Sequence, residues 1–102
     1  MTKKSKLEIE LMNLIDKNSA YEVEIVKRYL SLASTFKKLD ASIKKDGVMI
    51  FVKNGSQKYS KTNPAVGEKN KVNAAMIKLG EFFDKKRVEK TDKNEVDDDE
   101  FF

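Results

Sequence analysis

The sequence predicts a mainly α-helical protein in which a short N-terminal helix precedes two long antiparallel helices joined by a small β-hairpin. Three observations carry that reading. Apolar residues recur at helical spacing over residues 20–45 and again from Pro64 to about Arg87. Between these segments the β-branched run VMIFV meets the turn sequence KNGSQ and returns as KYSKT. The only proline, Pro64, stands directly behind Asn63 where the second long helix should begin.

The first helix is read over residues 5–17 (SKLEIELMNLIDK), with Leu7, Leu11, Leu14 and Ile15 on one stripe. Asn18 or Ser19 then supplies an N-cap for the first long helix. In that helix Tyr21, Ile25, Tyr29, Leu32, Phe36, Leu39 and Ile43 share one side, and Val26, Leu30 and Ala33 widen it. The apolar arc covers nearly half the cylinder, more than one neighbour needs, and predicts contact with two elements or with a second subunit. Lys27, Lys38 and Lys45 lie together on the opposite side. Gly47 ends the helix, as glycine commonly does just past a C-terminus.

The hairpin strands are expected near 48–53 and 56–61, with Asn-Gly accommodating a positive φ at the turn. An isolated hairpin is marginal in water, so Val48, Ile50 or Tyr59 should lean on a helix. Asn63 suits the N-cap of the second long helix and Pro64 its first position, where the missing N–H costs nothing. That helix carries a stripe of Ala65, Val72, Ala75, Met76, Leu79, Phe82 and Phe83. Beyond residue 88 the pattern lapses. Two regions result: residues 1–88, a helical domain, and residues 89–102, a disordered acidic tail ending in two phenylalanines.

Composition narrows the function classes. The chain has 102 residues, 37% of them charged, enough for one domain with a small core that self-association would help. No apolar run is long enough to cross a bilayer, so no membrane partner is expected, and the basic start MTKKSKLEIEL does not read as a signal peptide. Cysteine and histidine are both absent, which removes thiol chemistry, imidazole bases and nearly every zinc site. No catalytic residue, metal or cofactor is expected. An enzyme would have to rely on carboxylates such as Glu22, Glu24 or Asp40, and no pairing of a catalytic kind stands out in the sequence.

Charge is unevenly distributed. Residues 89–102 hold seven acidic and two basic side chains, a net of −5, which leaves +9 on residues 1–88 of a chain whose total is +4. A basic body with an acidic tail predicts two unlike partners, one of them anionic.

A long aromatic-bearing helix, a glycine, a short strand, KNG, and then NPAV opening a lysine-rich helix that ends in LGEFF resembles the small terminase subunit of tailed bacteriophages. The branch it is similar to shares a Lys-Asn-Gly turn followed by Asn-Pro-Ala-Val, and the resemblance covers about residues 20–83. The chain departs from that pattern at EFFDKKRVEK, where members often carry a leucine-threonine-proline and serine-arginine stretch. The resemblance implies a non-enzymatic packaging factor in the host bacterial cytoplasm. It implies a homo-oligomeric ring, double-stranded viral DNA as one partner, and the large terminase subunit, which holds the ATPase and nuclease, as another.

Two surfaces are candidates for DNA. Lys53, Lys58 and Lys61 cluster around the hairpin with Asn54. Lys71, Lys78 and Lys85 recur every seven residues on the second long helix, a rail of about 21 Å. Lysines outnumber arginines 19 to two, which favours phosphate contact over guanine reading. The aromatic residues Tyr21, Tyr29, Phe36, Phe82 and Phe83 coincide with the aliphatic stripes and are read as core or subunit interface. The tail offers Asp97, Asp98, Asp99, Phe101 and Phe102 as a partner-binding segment, its rings docking in an apolar pocket while its acids meet a basic rim. Competing readings are a small architectural or regulatory DNA-binding protein, or a protein-only helical adaptor.

Overall fold

The structure is a computed structural model that describes residues 3–99, with side chains over residues 3–91. It is mainly helical: α1 (Lys6–Leu14), α2 (Ala20–Asp46), β1 (Met49–Asn54), β2 (Gln57–Thr62) and α3 (Pro64–Asp99). The chain divides into two compact units. One comprises α1, α2 through Leu30, and α3 from Ile77; the other is Ser31–Met76.

In the first unit α1 begins where Ser5, in extended backbone, accepts the Glu8 N–H on its Oγ at 3.1 Å. It ends at Leu14, short of the expected residue 17, because Ile15 is extended and Asp16 starts a turn closed by its own carboxylate on the Asn18 N–H. Ser19, rather than Asn18, caps α2 by accepting the Glu22 N–H at 3.2 Å. Ser19 and Glu22 have capping-box spacing, but the Glu22 carboxylate reaches further back and accepts the Asp16 N–H at 3.1 Å.

The core of this unit gathers Leu11, Ile15, Ile25, Val26 and Phe83. Phe83 meets Tyr29 edge to face at 5.4 Å and Phe82 at 5.3 Å. Contacts run in opposite chain directions, Glu22 with Lys86 and Tyr29 with Phe83, so α2 and α3 are antiparallel here. Val26 is the most deeply buried side chain, whereas Tyr21, expected on the same apolar face, is 72% exposed. The buried line of α2 therefore passes through Val26 and Ile25, and Tyr21 lies at its margin.

In the second unit α2 stops at Gly47, whose φ of +88° is open to glycine and whose N–H donates to the Ile43 carbonyl at 2.7 Å. Asn63 then joins three segments. Its Oδ1 accepts the Ala65 N–H at 3.0 Å as the cap of α3, and its Nδ2 donates to the Gly47 carbonyl at 3.0 Å. Its backbone N–H donates to the Val48 carbonyl at 2.7 Å. Gly47 with Asn63 and Asp40 with Lys69 again set the two helices antiparallel. Among the described residues the buried set of this unit is Ala33, Ala65 and Asn63, a small core for a segment of its length.

Two expectations are corrected. The hairpin turn is centred on Gly55 and Ser56, with the positive φ of +64° on Gly55 alone, so the strands run one residue later than expected. Ile50 and Val52 form the half-buried side, while Val48 and Tyr59 are exposed. Further, α3 continues past Arg87 to Asp99, through residues expected to be disordered. Residues 88–99 contain no glycine or proline to stop a helix.

Candidate nucleic-acid interface

Each strand of the hairpin alternates its side chains between two faces, and the register decides which lysines meet. Met49 pairs with Thr62, Phe51 with Ser60, and Lys53 with Lys58. These six residues share one face, and the Thr62 hydroxyl lies 3.9 Å from the Met49 sulfur on it. Ile50 with Lys61, Val52 with Tyr59, and Asn54 with Gln57 form the other. The structure thus brings Lys53 and Lys58 directly opposite each other, separates Lys61 onto the half-buried side, and sets Asn54 beside the turn. All four are exposed.

The electrostatics of that tip are one-sided. Residues 48–62 hold Lys53, Lys58 and Lys61 and no acidic side chain. Like charges directly opposite on an antiparallel pair have Cβ atoms about 4.5–5.5 Å apart and destabilise it. A bound anion removes that repulsion.

On α3 the three rail lysines are all exposed. Lys71, in the second unit, lies 3.5 Å from Glu68, an exposed pair that contributes little. Lys78 and Lys85 belong to the first unit and stand about 10.5 Å apart along the helix.

Two other lysines act structurally, which the sequence reading missed. Lys86 bridges to Glu22 at 3.2 Å and lies 5.5 Å from the Phe82 ring centre. Lys69 donates to Asp40 at 2.8 Å and lies 5.0 Å from the Phe36 ring centre. Both are partly buried. The signal was helical spacing: Lys69 stands three residues before Val72 and Lys86 four after Phe82, which sets both along the apolar stripe, where a long stem can lie along a ring. The Glu22 carboxyl is held below its ordinary range first by the Asp16 N–H and then by Lys86; Lys69 does the same for Asp40. Glu24 pairs with Arg28 at 3.3 Å. The three carboxylates considered for catalysis are thus engaged in ion pairs.

Phe51 is a further exposed residue that the sequence pattern alone did not single out. It is 88% exposed on the Lys53–Lys58 face, and strand alternation from Lys53 was the signal that could have found it. Of the tail residues, Phe101 and Phe102 lie outside the described residues. Asp97, Asp98 and Asp99 are described in backbone only, at the end of α3. Among the described residues no cluster of acidic side chains could hold a metal ion, and no helix is long and apolar enough to cross a membrane.

Comparison with known proteins gives one family and no individual relative. The family model for the phage terminase small subunit matches residues 9–84. Neither the curated proteins nor the solved structures provide a match. The family match takes in most of α1, all of α2 and the hairpin, and α3 through Phe83 and Asp84. With that much of the chain covered, this protein belongs to the phage terminase small subunit family, whose role lies in the packaging of phage DNA.

Proposed function

We propose that this protein is the DNA-engaging, non-catalytic component of a phage packaging machine: it assembles into a ring, holds double-stranded viral DNA through its lysines, and recruits the large ATPase-nuclease subunit. The observation that carries the reading is the opposed Lys53–Lys58 pair on a hairpin without acidic residues. Lysines that neutralise phosphates release condensed counterions, and this gain depends on charge rather than sequence. Lys61, on the other face of the hairpin, and Asn54, beside the turn, add contacts, and Lys71 of the second unit and Lys78 and Lys85 of the first supply further basic groups along α3. A ring repeats each group around the assembly and multiplies a modest grip.

Assembly is supported by unit two, which buries little more than Ala33, Ala65 and Asn63 on its own while Phe36, Leu39 and Ile43 are only partly buried. Packing these side chains against a neighbouring copy completes a core that one chain leaves thin. The acidic segment at 89–102, with Asp97, Asp98, Asp99, Phe101 and Phe102, is the proposed contact for the large subunit, and the work takes place in the host bacterial cytoplasm. Catalysis belongs to that partner.

The test is fluorescence anisotropy of a labelled duplex with the full chain over a series of salt concentrations. Affinity should fall steeply with salt, with a log–log slope of about 0.9 per phosphate neutralised. The double variant Lys53→Ala/Lys58→Ala should lower that slope by about two for each engaged protomer. Affinity that is indifferent to salt overturns the proposal.

A further inference from the structure

The hairpin exposes its largest apolar group where concealment was available. Ile50 and Val52 occupy a half-buried side, yet Phe51 stands on the opposite face, 88% exposed, with Met49 at 50% beside it. That face also carries Lys53 two residues along the same strand and Lys58 across from it. An apolar patch of this kind calls for a cover, and the charges around it select what the cover is. The same face of a second copy would bring two more lysines against these two. A polyanion brings the complementary charge.

Resting on the DNA-binding reading above, we propose that Phe51 is a wedge: Lys53 and Lys58 hold the phosphate backbone while the Phe51 ring enters between base pairs of duplex DNA and bends it. The spacing suits this role. Two residues of strand place Lys53 about 7 Å beyond Phe51, close to the span of two base-pair steps at about 3.4 Å each. Apolar side chains inserted in this way partly unstack a step and kink the duplex by about 20–90°. Met49, a further two residues back on the same face, extends the apolar edge along the groove. Ser60 and Thr62, across from Phe51 and Met49, provide hydroxyls that can donate to backbone oxygens. The division of labour is specific: the lysines supply salt-dependent attachment, and the ring supplies deformation.

The experiment compares full-length wild type, Phe51→Ala, Phe51→Leu and Lys53→Ala/Lys58→Ala on a short duplex carrying donor and acceptor dyes at its ends. Anisotropy reads affinity, energy transfer reads bending, and native mass reads assembly. Wild type should shorten the end-to-end distance. Phe51→Ala should lose the bend and weaken binding by about 5- to 150-fold, the range for removing one aromatic–base contact, with its salt slope unchanged. Phe51→Leu, still an apolar wedge, should retain most of the bend. The lysine variant should instead flatten the salt slope. Phe51→Ala that binds within twofold of wild type and bends equally overturns the wedge while leaving the DNA-binding reading intact. A changed assembly mass in Phe51→Ala also overturns it, because the ring then belongs to a contact between copies. Wild type that fails to bind the duplex even at low salt refutes both readings at once. Exposure of Phe51 means its removal takes nothing from the core, and matched unfolding curves would establish that each variant is folded.

Discussion

Replacing Asn63 separates two hydrogen bonds that one side chain makes at the base of the hairpin. Its Oδ1 accepts the Ala65 N–H and its Nδ2 donates to the Gly47 carbonyl, each at 3.0 Å, and the residue is 6% exposed. Asn63→Ala loses both. Loss of an N-cap costs about 0.5–2 kcal/mol, and a buried group stranded without its partner about 1–3 kcal/mol. Together they predict a destabilisation of about 1.5–5 kcal/mol. Asn63→Asp keeps the acceptor, and its negative charge suits a helix N-terminus. It turns an oxygen towards the Gly47 carbonyl, however, and should cost about 1–3 kcal/mol. The order of stability is therefore wild type, then aspartate, then alanine.

Urea unfolding at one fixed protomer concentration reads the series. With m of about 2 kcal/mol/M, the middle of the range for a small protein, the alanine variant should lower the midpoint by about 0.8–2.5 M with m unchanged. An aspartate variant as stable as wild type would show that the Gly47 bond carries no stability. An alanine variant within about 0.5 kcal/mol of wild type, the range of an ordinary surface change, would refute the whole account of this junction.

Phe83→Ala, which removes a 3%-exposed ring packed edge to face on Tyr29 and Phe82, should cost about 3–5 kcal/mol by the same assay. Acid should destabilise the protein with a definite sign. Glu22 and Asp40 have lowered folded-state values, so the unfolded chain binds protons more readily on acidification. Their contribution is complete above the unfolded carboxylate range, near pH 4, and is lost as pH falls through the lowered folded values. Glu22→Gln and Asp40→Asn should each flatten the drop in urea midpoint between about pH 5 and pH 3; an unchanged pH profile in both variants would count against the two ion pairs.

Much of the architecture was legible because its causes are local. Helical spacing, the glycine at 47, and the Asn63-Pro64 start of α3 depend on interactions within a few residues, and each is found in the structure. The body-to-tail charge contrast was equally plain, as was the clustering of lysines around the turn. The candidate site was legible in composition but not in geometry. Placing the turn on Asn54-Gly55 sets Lys58 opposite Phe51; placing it on Gly55-Ser56 sets Lys58 opposite Lys53. Both sequences are acceptable turns, and a one-residue displacement changes every partner across the ladder.

The sequence by itself thus determined three helices, a hairpin, the stop at Gly47, the Asn63 cap and a surplus of positive charge, since each follows from neighbours along the chain. Only the tertiary structure decided that Asn63 also holds the Gly47 carbonyl, that Lys69 and Lys86 serve ion pairs on aromatic rings, and that Phe51 stands in water beside two opposed cations. Those outcomes depend on residues from about 16 to 64 positions apart meeting across elements or on strand register. Spacing along one segment carries no record of what lies across from it.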